Sequence, residues 1–71
     1  MYLSKNIQLL RRQRRVTQEQ LAEQMKVSRQ TISKWEKNLS VPDADALVRL
    51  ADALDTTVQT LLGQPAEAAA E

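Results

Sequence analysis

Cysteine and histidine are both missing from these 71 residues, and the two absences remove much of the chemistry an enzyme or metal site needs. Without cysteine, neither a disulfide nor a thiolate-bound metal can staple the fold. Without histidine, the usual general base and the commonest metal ligand are gone. Glycine occurs once, at Gly63, and proline twice, at Pro42 and Pro65. So few breakers point to helices joined by short turns. No β-branched alternation of strand length is present, so strands are not expected. Apolar runs stop at two or three residues, far short of the about 20 that span a bilayer. Met1-Tyr2-Leu3 leads directly into polar sequence, without the pattern of a signal peptide. The expectation is one small, soluble, cytoplasmic domain with no membrane partner and no cofactor.

Charge is unevenly spread. Residues 1–38 hold nine basic side chains against three acidic ones, a net +6, and residues 39–71 hold one against six, a net −5. A domain divided this way can offer a basic face to phosphates and remain soluble.

Five helices are expected. The first starts near Ser4 as N-cap and runs to about Arg14, with Leu3, Ile7 and Leu10 as its apolar stripe. Thr17 caps the second, and Thr17-Gln18-Glu19-Gln20 has the form of a capping box. Leu21, Ala22 and Met25 face inward. After a turn at Lys26-Val27, Ser28 caps a third helix that runs to about Lys37. Asn38 suits a left-handed helix end. Asp43 caps a fourth helix with Leu47, Leu50, Ala51 and Leu54 inward. Thr57 caps a short fifth helix carrying Val58, Leu61 and Leu62, which serve as core or as contacts to a second copy. The expected division is a folded domain over 1–62 and a linker or flexible tail over 63–71.

The stretch from Gln18 to Lys37 carries the functional signal. Two short helices joined by so tight a turn must cross steeply, with small residues where they touch; Ala22 meets Ile32 there. On a wheel of about 100° per residue, with Arg29 at 0°, Ser33 falls at roughly 40°, Lys37 at 80°, Gln30 at 100° and Lys34 at 140°. Ile32 and Trp35 lie opposite, and Glu36 sits at the border. Arg and Lys can pair with guanine O6 and N7, and Gln with adenine N6 and N7. No acid lies within the arc. Trp35 is on the wrong side to stack on bases and is expected at the edge of the core.

These residues resemble a known family. V-T-Q-E-Q-L-A-E-Q-M-K-V-S-R-Q-T-I-S-K-W-E, residues 16–36, is similar to the phage-repressor and Cro type of helix-turn-helix found in XRE-like bacterial regulators. The likeness runs from I-Q-L-L-R (7–11) through P-D-A-D-A-L-V-R-L-A-D-A-L (42–54) to V-Q-T-L-L (58–62). It implies an all-α, compact five-helix bundle and a homodimer on a roughly palindromic double-stranded DNA operator, with no small-molecule ligand in this domain. Arg29, Gln30, Ser33 and Lys34 would read bases. Gln18, Thr31, Lys37 and Ser40 would meet phosphates, helped by the backbone amides of residues 37–40. Arg11 would pair with Glu36. Val58, Leu61 and Leu62 would supply the dimer contact, and Arg12, Arg14 and Arg15 would lie mainly in solvent. Arg15, Lys26, Asn38 and Asp55 stand where the family often has glycine. At such left-handed turns Arg and Lys cost roughly 1 kcal/mol each.

The resemblance favours a transcription regulator, more often a repressor. The alternative is a protein-interaction or antitoxin-type module on the same fold. An enzyme is the weakest reading, because no catalytic constellation is present. Asp43, Asp45, Asp52 and Asp55 fit a solvated helix surface better than a metal site.

Overall fold

The computed structural model describes residues 2–64, so residues 65–71 of the tail expected over 63–71 lie outside them. The described chain folds into α1 (Leu3–Gln13), α2 (Gln18–Met25), α3 (Arg29–Glu36), α4 (Ala44–Ala53) and α5 (Val58–Leu62), with no strand among the described residues.

Four of the five starts follow from side-chain chemistry. The hydroxyls of Thr17, Ser28 and Thr57 and the carboxylate of Asp43 each accept the backbone N–H three residues on, satisfying a donor that the first turn leaves open. At α2 the box is reciprocal: Gln20 N–H donates to Thr17 Oγ1 at 3.0 Å, and Thr17 N–H to Gln20 Oε1 at 2.9 Å. The expected start at Ser4 is corrected. α1 begins two residues earlier, with Tyr2 at the cap position and no side-chain bond there. Leu3 is pulled into the core, and that burial outweighs the missing cap.

The ends of α1 to α4 repeat one device. Arg15, Lys26, Asn38 and Asp55 adopt φ of 57°, 58°, 61° and 53°. The next amide then reaches back five residues: Val16 to Arg11 O, Val27 to Ala22 O, Leu39 to Lys34 O and Thr56 to Ala51 O. This is the Schellman closure, usually built on glycine, and here all four positions bear a side chain. α5 ends differently. Asn6, 5% exposed, donates its amide to Thr60 O, Leu61 O and Gly63 O at 3.2, 2.7 and 2.7 Å. The side chain from α1 thus binds carbonyls in the last turn of a five-residue helix, Thr60 O also accepting from Gly63 N–H, and holds Gly63 to the body of the domain. A Cβ at Gly63 would lie 3.0 Å from Gln59 O, so the close turn favours glycine.

The core joins Leu3 and Ile7 of α1, Leu21, Ala22 and Met25 of α2, and Ile32 and Trp35 of α3 to Leu50, Ala51, Leu54 and Leu61. Ala22 and Ile32 are both buried, and α2 packs on α3. Leu47, expected inward, is only partly buried against this cluster. Leu61 is fully enclosed within its own subunit. Its assignment to a dimer contact is therefore corrected: it is a core residue, and no second copy can reach its side chain. Leu62 remains 41% exposed and Val58 half-buried.

Candidate nucleic-acid interface

α3 presents two unlike sides. Ile32 and Trp35 anchor it in the core, which turns Arg29, Gln30 and Lys34 into solvent and leaves Ser33 half-buried between them. Among the described residues, the side chains of Arg29, Gln30 and Lys34 have no internal hydrogen bond or ion pair. The fold fixes where they point and uses none of their polar groups. Trp35, 6% exposed, lies at the core as expected.

Glu36, the acid of α3, faces inward and is 7% exposed. Arg11 grips it with two bonds, Nε to Oε2 at 2.6 Å and Nη2 to Oε1 at 3.1 Å. A third Arg11 nitrogen donates to Val16 O at 3.0 Å. Gln18 adds Nε2 to the same Glu36 Oε1 at 3.0 Å, and Gln8 donates to the Glu36 backbone oxygen at 2.8 Å. One carboxylate therefore ties α1, α2 and α3 together beside the exposed arc. Sequence reasoning expected Arg11–Glu36 but missed Gln8 and the Gln18 bond. Gln8 could have been found: it lies three residues before Arg11 on a helix, hence on the same face.

An open hollow of about 480 Å3 lies where α1 ends and α2 and α3 begin. Arg11, Gln18 and Arg29 line it, together with Glu19 and Glu23. Two guanidinium groups and an amide can there receive an anionic oxygen.

The other expected phosphate contacts fall into place unevenly. Thr31 is half-buried, its Oγ1 2.9 Å from Ser28 Oγ. Lys37 and Ser40 are exposed. The expected grip by loop amides is corrected. The N–H groups of Lys37, Asn38, Leu39 and Ser40 turn back to Ser33 O, Trp35 O, Lys34 O and Lys34 O, at 3.0, 3.2, 2.9 and 3.4 Å. The Schellman closure at Asn38 consumes them, so any contact here falls to side chains. Beside the loop, Leu39 and Val41 are exposed.

Two further cations have structural partners. Arg14, expected in solvent, pairs with Asp55 at 2.9 Å on the surface. Arg49, the one basic residue of the acidic half, donates to Met25 O at the end of α2 and lies 3.8 Å from Asp45. Among the described residues no group of three His, Cys, Asp or Glu side chains could hold a metal. No described helix is long and apolar enough to cross a membrane.

Comparison with known proteins gives the same picture. A helix-turn-helix family model matches residues 7–61. The HTH-type transcriptional activator BcrR of Enterococcus faecalis is 40% identical over 62 residues, which is 87% of this chain and 30% of that protein. Among solved structures, a chain of the SinR protein/SinI protein complex superposes with a TM-score of 0.82 at 28% identity, covering 93% of this chain and 65% of that one.

Proposed function

The chain belongs to the XRE-type helix-turn-helix family of DNA-binding transcription regulators, and on that premise we propose that it binds a specific duplex as a homodimer, with α3 in the major groove of each half-site. The observation that carries the reading is the exposed arc of Arg29, Gln30 and Lys34, whose polar groups the fold leaves unused. Arg, Lys and Gln are the side chains that match guanine and adenine edges. Arg29, Gln30, Ser33 and Lys34 read bases. Gln18, Thr31, Lys37 and Ser40 hold the backbone and set the register.

Affinity comes first from charge. Cations on the DNA-facing side displace counterions, so binding falls steeply as salt rises. A single small module binds modestly. A twofold dimer places two α3 helices about 34 Å apart on successive turns of a near-palindrome. Leu62, exposed, and Val58, half-buried, supply the apolar part of that contact.

Bound over a promoter, the dimer represses by occlusion. A second reading, activation, is favoured by the name of the Enterococcus relative; both outcomes use the same grip on DNA. The interaction-module reading takes support from the SinR neighbour, which is titled as a complex with another protein. It is disfavoured by the exposed cationic arc.

Selection from random duplexes at two salt concentrations tests the proposal. Expected are one enriched near-palindrome, binding that weakens with salt, and a Gln18→Ala variant that loses affinity about equally for every sequence. Salt-independent or absent binding, with charge reversal at Lys34 tolerated, would leave only the interaction module.

A further inference from the structure

Gln18 and Glu36 face each other across the junction of α2 and α3, and their chemistry fixes more than their distance. Gln18 Nε2 donates to Glu36 Oε1 at 3.0 Å. An ionised carboxylate only accepts hydrogen bonds, so the amide end turned toward it must be the nitrogen. The reverse orientation would set oxygen against oxygen. Arg11 holds the carboxylate from the other side with two bonds, so Glu36 cannot swing to accommodate a rotated amide.

We propose that Glu36 is a positioning residue for DNA binding: it orients Gln18 so that one N–H is held inside the protein and the other is kept for a backbone phosphate. The inference rests on the reading that Gln18 meets DNA. A phosphate oxygen, like a carboxylate, only accepts. The Gln18 nitrogen carries two hydrogens and therefore bridges two anions, Glu36 within and phosphate without. The hollow beside it supplies the seat, with the guanidinium groups of Arg11 and Arg29 on its walls next to the carboxylates of Glu19 and Glu23. Arg11 thereby serves both anions, neutralising Glu36 and lowering the repulsion the DNA would otherwise meet.

The proposal makes a prediction opposite in sign to that of charge alone. Glu36→Gln removes a negative charge beside a polyanion, which by itself tightens binding. It also removes the polarity that orients Gln18, because a glutamine at 36 can accept from the Gln18 nitrogen through its own oxygen or donate to the Gln18 oxygen through its own nitrogen, so both orientations become possible. Duplex affinity of Glu36→Gln is measured in the parent and in a Gln18→Ala background, at a temperature where melting curves show each variant folded. The expected result is about three- to tenfold weaker binding in the parent background and none of that loss once Gln18 is gone. Tighter binding in the parent, or equal weakening in both backgrounds, overturns it. If Glu36→Gln does not fold, the side-chain amide protons of Gln18 in the parent decide by NMR. One proton should shift when duplex is added while its partner stays in place; joint movement of both, or of neither, while DNA binds refutes the bridge. A parent that binds no duplex at any salt concentration removes the DNA reading itself, and the bridge with it.

Discussion

Lys34 and Glu36 are two residues apart on the same short helix, yet they live under different rules. Lys34 is exposed, with no partner among the described residues. Glu36 is 7% exposed and receives bonds from Arg11 and Gln18 on its carboxylate and from Gln8 on its backbone. The outward arc of α3 can be rewritten at little cost to folding, because nothing in the fold depends on it. The inward edge cannot, because three helices meet there. A helix of eight residues thus keeps the side chains that hold the fold together apart from those whose polar groups the fold leaves unused.

Glu36→Ala should break this contrast most severely. It leaves the Arg11 guanidinium, with a side chain 13% exposed, without its counter-ion. The unfolding free energy should fall by about 3–5 kcal/mol, comparable to all that a domain of this size possesses. Chemical denaturation measures it; a loss under about 1 kcal/mol would mean the pair is screened like a surface one. Gln30→Ala should do the reverse. Affinity for the selected duplex drops by about 1–3 kcal/mol and one base position relaxes, while stability stays within about 0.5 kcal/mol. Equal losses in both assays would erase the distinction between the two sides. Lys26→Gly lies off both sides and should stabilise by roughly 0.5–1 kcal/mol, by relieving a left-handed side-chain residue at the cost of some chain entropy. An unchanged duplex affinity would keep the turn out of the interface. Arg14→Ala should be the smallest, no more than about 0.5 kcal/mol, because Arg14 and Asp55 are 44% and 83% exposed and solvent screens such pairs.

What the sequence made legible was local. Thr17, Ser28, Asp43 and Thr57 announce helix starts through bonds that close within three residues. The wheel of α3 needs only its periodicity. Asn6 binding α5 and Arg14 meeting Asp55 join residues 54 to 57 and 41 positions apart, and no spacing rule reaches across such gaps. Leu61 and Leu62 are neighbours in an apolar pair, so the fate of each, enclosed or exposed, awaited the placement of α1 against α5. The amides of residues 37–40 depart from expectation for a related reason. A helix end offers its N–H groups to a ligand only if its own carbonyls do not take them first, and the φ of 61° at Asn38 lets them.

The four left-handed corners have a practical use. At Arg15, Lys26, Asn38 and Asp55 the backbone already carries a side chain, and each residue is exposed. A chain with no thiol of its own would gain a unique attachment point from a single cysteine at any of them. A fluorophore or spin label at positions 15 or 55 would report on the end of α1 or α4, and one at 26 on the turn between α2 and α3. If two copies share one duplex as proposed, the separations between such probes would survey the spacing and tilt of the domains.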